Sequence, residues 1–100
     1  MRTMLQITIP VETGNKAIKD GTLPKTMESF MQRYKPEAAY FFPFNGKRSA
    51  FFVFDLPDPT HIPVVAESFF FGLNADVTMT PVMNADDLRA GIQKSMQSMS

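Results

Sequence analysis

The sequence predicts an α+β domain in which helices cover one face of a four-stranded antiparallel sheet. Three observations carry that expectation. Residues 4–11 and 76–83 alternate in the two-residue period of half-buried strands. Residues 37–55 hold two apolar runs either side of Asn45-Gly46, the pairing of residues that a tight hairpin turn requires. Two further segments repeat apolar residues at helical spacing.

The first strand sets Leu5, Ile7, Ile9 and Val11 on one face, against Met4, Gln6, Thr8 and Pro10 on the other. Glu12-Thr13-Gly14-Asn15 is expected to break it, with Asn15 capping a short helix over residues 16–20. Gly21 interrupts that helix. Thr22 is expected to cap a second segment, with Pro24 in its first turn, where a missing N–H costs little. Whether the interruption is a kink or a break stays open at this point. Leu23, Met27, Phe30, Met31 and Tyr34 form one stripe, and Lys35-Pro36 ends the helix because the residue before proline resists helical ψ.

The hairpin follows. A two-residue turn at Asn45-Gly46 pairs Tyr40 with Phe51, Phe42 with Ser49, Ala39 with Phe52 and Phe41 with Ala50. One face then carries Ala38, Tyr40, Phe42, Phe51 and Val53; the other carries Ala39, Phe41, Ala50, Phe52 and Phe54. Both are apolar, whereas a sheet wet on one side alternates apolar with polar. Both faces therefore need a cover, and a second copy of the chain is the expected source of one. Pro43 places its strand at the sheet edge.

Asp58 is expected to cap a third helix with Pro59 at its first position and Ile62, Val65, Ala66, Phe69 and Leu73 as its core stripe. Phe69, Phe70 and Phe71 lie about 100° apart around a helix, so they cannot share one core; at least one is expected in a second buried surface. Gly72 and Asn74 end the helix. The last strand carries Val77, Met79, Pro81 and Met83 on one face, with Thr78, Thr80 and Val82 opposite, and Pro81 marks the other edge. Asn84 with Asp86 and Asp87 opens a short final helix, with Met83 stapled onto Leu88, and the tail from Ser95 to Ser100 is expected to fray.

The whole chain, 1–100, reads as one domain. Ten basic and ten acidic residues cancel, which leaves no electrostatic footprint for nucleic acid. No apolar run reaches the length of a membrane span, and the first residues do not read as a signal peptide. Without cysteine there is neither disulfide nor thiolate chemistry, and one histidine cannot build a transition-metal site. A cytoplasmic protein without metal or cofactor is the expectation.

Strand, helix, strand, strand, helix, strand is the ferredoxin-like βαββαβ order. It implies the strand order 4-1-3-2, with Pro43 and Pro81 on the two edges. The chain resembles small members of the dimeric α+β barrel superfamily, in which two such sheets pack face to face. The stretch Ile7-Thr8-Ile9-Pro10-Val11-Glu12-Thr13-Gly14-Asn15, with Asp20-Gly21-Thr22-Leu23-Pro24 after it, is similar to short uncharacterised bacterial proteins of that group. The superfamily includes antibiotic-biosynthesis-type monooxygenases, muconolactone isomerase-like proteins and stress-responsive barrel proteins. Its haem-degrading members use an Asn, a Trp and a His; this chain has no Trp, so that activity does not carry over intact.

His61 is the only histidine and the one conventional base; its plain reading is a first-turn helix residue near the surface. Gln6, Thr8, Thr78 and Thr80 lie opposite the apolar stripes of two neighbouring strands, where they would converge on an inter-sheet cavity with Tyr40 or Ser49 from the hairpin. They are the expected ligand-binding set; the plainer reading has them satisfy one another or water in a dimer interface. Asp86-Asp87 reads as helix capping, and Lys47-Arg48 as solvated. The expectation is a homodimer that binds a small apolar or aromatic molecule. The alternatives are a cofactor-independent monooxygenase or isomerase, and a purely structural dimer with a filled barrel.

Overall fold

The computed structural model describes residues 1–99. Ser100, the end of the tail expected to fray, lies outside the described residues. The element order is β1 (Arg2–Ile9), α1 (Val11–Lys19), α2 (Thr22–Tyr34), β2 (Ala38–Phe44), β3 (Lys47–Asp55), α3 (His61–Leu73), β4 (Asp76–Pro81) and α4 (Ala85–Met99). The four strands form one antiparallel sheet in the order β2-β3-β1-β4, with β2 and β4 as edges. This is a small α+β domain with an open sheet, compatible with a ferredoxin-like fold.

The hairpin pairs as its turn dictates. Tyr40 faces Phe51, Phe42 faces Ser49, and the two turn residues take positive φ, 53° at Asn45 and 76° at Gly46. Leu5, Ile7 and Ile9 of β1 join Ala50, Phe52 and Phe54 of β3 on one sheet face, and all six are buried. Helices α2 and α3 cover that face with Met27, Phe30, Val65, Phe69 and Leu73. Phe30 is the hub: its ring centroid lies 4.8 Å from Phe52, 5.3 Å from Phe54 and 5.8 Å from Phe69. Such aromatic pairs add to the area they bury, about 0.5–1.5 kcal/mol each.

Several local expectations need correction. Val11 belongs to a helix, not to the first strand. Pro10, at φ −55° and ψ 142°, is the N-cap of α1, and the Gly14 N–H donates to its carbonyl at 2.9 Å. Asn15, expected as a cap, lies inside α1. Gly21 is a break and not a kink: at φ 83° it separates two helices. Thr22 is the first helical residue there, and its N–H is capped by Asp20 Oδ1 at 2.9 Å.

Helix α3 starts two residues later than expected. Asp58 Oδ1 accepts the Thr60 N–H at 2.8 Å and the Thr60 hydroxyl, so Pro59 and Thr60 form a turn and His61 opens the helix. Ile62, expected in the core stripe, lies in the first turn of the helix and is exposed. Phe69 is 0% exposed, Phe70 44% and Phe71 88%, so the second burial expected of this triplet does not occur within one protomer. Asn74, at φ 52°, stops the helix, and Gly72 lies inside it. Strand β4 ends at Pro81, two residues short of Met83, which is exposed.

Helix α4 is longer than the short helix expected and runs to Met99. Asn84 and Asp87 close a reciprocal capping box, Asn84 N–H to Asp87 Oδ2 at 3.1 Å and Asp87 N–H to Asn84 Oδ1 at 2.8 Å. No residue of α4 is buried among those described, and Leu88, Ile92, Met96 and Met99 line one exposed stripe. The protomer is correspondingly elongated, 58 Å in its longest dimension.

Candidate functional site

Among the described residues, no helix packs on the sheet face away from α2 and α3. The register of the four strands sets its side chains in cross-strand rows. From β2 to β4 the first row is Phe42, Ser49, Thr8 and Asp76, the second Tyr40, Phe51, Gln6 and Thr78, the third Ala38, Val53, Met4 and Thr80. The β2 side of each row is apolar and the β4 side polar. All six residues expected in a binding set, Gln6, Thr8, Tyr40, Ser49, Thr78 and Thr80, therefore stand on this one face.

They are not equally available. Ser49 is buried; its Oγ donates to the Ile7 carbonyl at 2.6 Å and lies 3.3 Å from Thr8 Oγ1. Thr80 Oγ1 donates to the Pro81 carbonyl at 3.2 Å. Gln6, Tyr40 and Thr78 make no side-chain hydrogen bond among the described residues. These three share the central row with Phe51. An amide, a phenol and a hydroxyl supply both donors and acceptors, and none has a fixed charge. Such a row can orient a neutral polar substituent on an apolar body. It offers no general base of its own.

Arg2 closes the end of the face. Its Nε lies 2.5 Å from Glu37 Oε1, and its Nη1 lies 3.9 Å from Asp87 Oδ2, in the first turn of α4. The Glu37 hydrogen bond, then its charge, raise the Arg2 pKa further. At the start of α3, the Thr60 hydroxyl and then its N–H hold the Asp58 carboxyl below its usual range.

His61 is not part of this set. It opens α3 in the helical layer, across the sheet from the rows, and its Nδ1 lies 2.9 Å from the Tyr34 hydroxyl. The two rings meet edge to face at 5.9 Å, and the Arg33 guanidinium carbon lies 5.5 Å from the Tyr34 centroid. The pair ties the end of α2 to the start of α3. Tyr34 was expected only as a core residue; a residue 27 positions from His61 carries no local signal of such a bond.

Arg48 also departs from expectation. Lys47 is exposed, but Arg48 is half-buried on the helical side of the sheet. Beside it lies a cleft of about 590 Å³ between the hairpin and helices α1 and α2. No group of three or more His, Cys, Asp or Glu side chains is arranged to hold a metal ion among the described residues. No helix there is long and apolar enough to cross a membrane. No protein-family model, curated protein or solved structure matches the chain, so the resemblance drawn from its sequence gains no support from them.

Proposed function

We propose that two copies of this chain pack open face to open face as a dimeric α+β barrel, and that the space between the sheets binds a small apolar or aromatic molecule. The observation that carries this reading is the central row Tyr40–Phe51–Gln6–Thr78, with Phe42 and Val53 beside it and no helix above it. Alone, the protomer leaves these apolar side chains in partial contact with water, at about 25 cal/mol for each Å² not buried. Packing a like face on them removes that cost. A mostly apolar space with a few convergent polar groups is the usual form of a small-molecule site.

Helix α4 has a place in the same assembly. The stripe Leu88–Ile92–Met96–Met99 adds a further apolar surface, and Asp87 anchors its first turn to Arg2 at the end of the open face.

An enzyme of the same barrel type would need a proton acceptor in that space. His61 is bonded to Tyr34 in the other layer, and the one carboxylate in the three rows, Asp76, stands at the β4 edge away from the central row, so binding is the reading the geometry favours over monooxygenase or isomerase chemistry.

Thermal denaturation in the presence of small aromatic compounds tests the proposal. A saturable rise in Tm with at least one compound, lost in Phe51→Glu, is the expected result. No rise with any compound up to its solubility limit would overturn ligand binding and leave a filled barrel.

A further inference from the structure

The cleft beside Arg48 lies within a single protomer, on the helical side of the sheet, and does not depend on the dimer. Its walls are Ile9, Val11, Leu23, Met27, Phe41 and Ala50. Its charged lining residues are Lys47 and Arg48, and no Asp or Glu contributes to it. Lys47 is exposed and alternates with Arg48 in β3, so Arg48 is the lining charge on the helical side of the sheet.

The placement of Arg48 is built, not incidental. It pairs with Ile9 and with Pro43 in the sheet, which sets it under α1. Its Nη1 reaches the Val11 carbonyl at 3.5 Å. A Cβ added at Gly14 would fall 2.7 Å from the same Nη1, so α1 crosses the guanidinium where the helix has no side chain. Arg48 nevertheless makes no ion pair with any described carboxylate. A half-buried guanidinium with no described carboxylate beside it thus lines an apolar cleft.

We propose that this cleft binds an apolar carboxylic acid, its hydrocarbon or aromatic body between Leu23, Met27 and Phe41 and its carboxylate on Arg48. The guanidinium fork matches a carboxylate with two parallel N–H···O bonds, which a single point charge cannot do. The volume falls within the ordinary range for small ligands, about 300–1,000 Å³. The apolar walls supply affinity; Arg48 selects the acid over the alcohol or hydrocarbon of the same length.

The test uses the full chain with ¹³C-methyl methionine and two probes, decanoate and 1-decanol. Met27 lines the cleft, whereas Met4 stands on the opposite, open sheet face. Decanoate should shift the Met27 methyl saturably and leave Met4 unmoved. Arg48→Gln should weaken decanoate about tenfold or more and leave 1-decanol binding unchanged, which also reports that the variant is folded. Gly14→Ala, which pushes the end of the Arg48 side chain aside, should weaken decanoate in the same selective way. Equal affinity for acid and alcohol in the unmodified protein would overturn the proposal. So would a shift that falls on Met4 in place of Met27, or no saturable shift at all.

Discussion

Phe51 and Phe52 are neighbours in one strand and have opposite surroundings. Phe52 is 0% exposed, under Phe30 of α2 and beside Phe41. Phe51 points the other way, between Tyr40 and Gln6, with no helix over it. The hairpin is nearly as apolar on one face as on the other, yet the protomer covers only one. The difference shows that the apolar content of a strand states how much cover it needs, while the number of helices states how much one chain provides. Here the two do not match.

Substitutions can break or sharpen that contrast. The largest effect is expected at Phe52→Ala, which removes a ring from the centre of the core and should cost about 3–5 kcal/mol in urea denaturation, independent of protein concentration. Phe51→Ala should cost far less in dilute protein, and its cost should grow with concentration as dimer forms. An equal cost for the two in dilute protein would mean that the open face is already covered within one chain.

A smaller effect is expected where both faces depend on one feature. Gly46→Ala forces a Cβ into positive φ and should cost about 1–2 kcal/mol. The loss should appear in dilute and concentrated protein alike, because the turn fixes the register of both faces. Next is Asn84→Ala, which removes one half of the α4 capping box, worth about 1 kcal/mol to the helix. Helicity by circular dichroism should fall and dimerisation weaken, while the denaturation midpoint of dilute protein stays put, since α4 buries nothing in the protomer.

The smallest effect concerns acid. Asp20 and Asp58 are both held below the usual 3.8 by hydrogen bonds, from Thr22 and Thr60 respectively, hydroxyl first and backbone N–H second. A depressed folded-state pKa contributes stability that is present above the unfolded value and is lost as pH falls through the folded one. Asp58→Asn should therefore lower the urea midpoint slightly at neutral pH, change it little in acid, and so flatten its decline below about pH 4. A steeper acid decline in the variant would contradict this assignment.

Much of the fold was legible because its signals are local. Asn45-Gly46 fixes the turn, the turn fixes the register, and the register fixes which residues share each face. The core stripe of α2 follows from the same kind of short-range pattern, whereas the strand order came from the order of the elements along the whole chain. The failures sit where two local signals compete. Val11 continues the alternation of β1, but Pro10 before it begins a helix. Asp58 and Pro59 resemble a helix start and instead form the turn ahead of one. Arg48 was legible in principle, because its position in β3 is two residues from Ala50 and four from Phe52, on the same face. Adjacency to Lys47 at the hairpin tip suggested solvent, and only the path of α1 over Gly14 reveals otherwise. The Tyr34–His61 bond joins elements distant in sequence, and no spacing announces it.

Sedimentation equilibrium of the unmodified chain against Phe51→Glu tests the central claim, that a second copy covers the open face. The unmodified protein should show twice the 11.3 kDa chain mass at micromolar concentration, and the folded variant the single-chain mass. A single-chain mass for the unmodified protein up to hundreds of micromolar, or a dimer that survives Phe51→Glu, would contradict it.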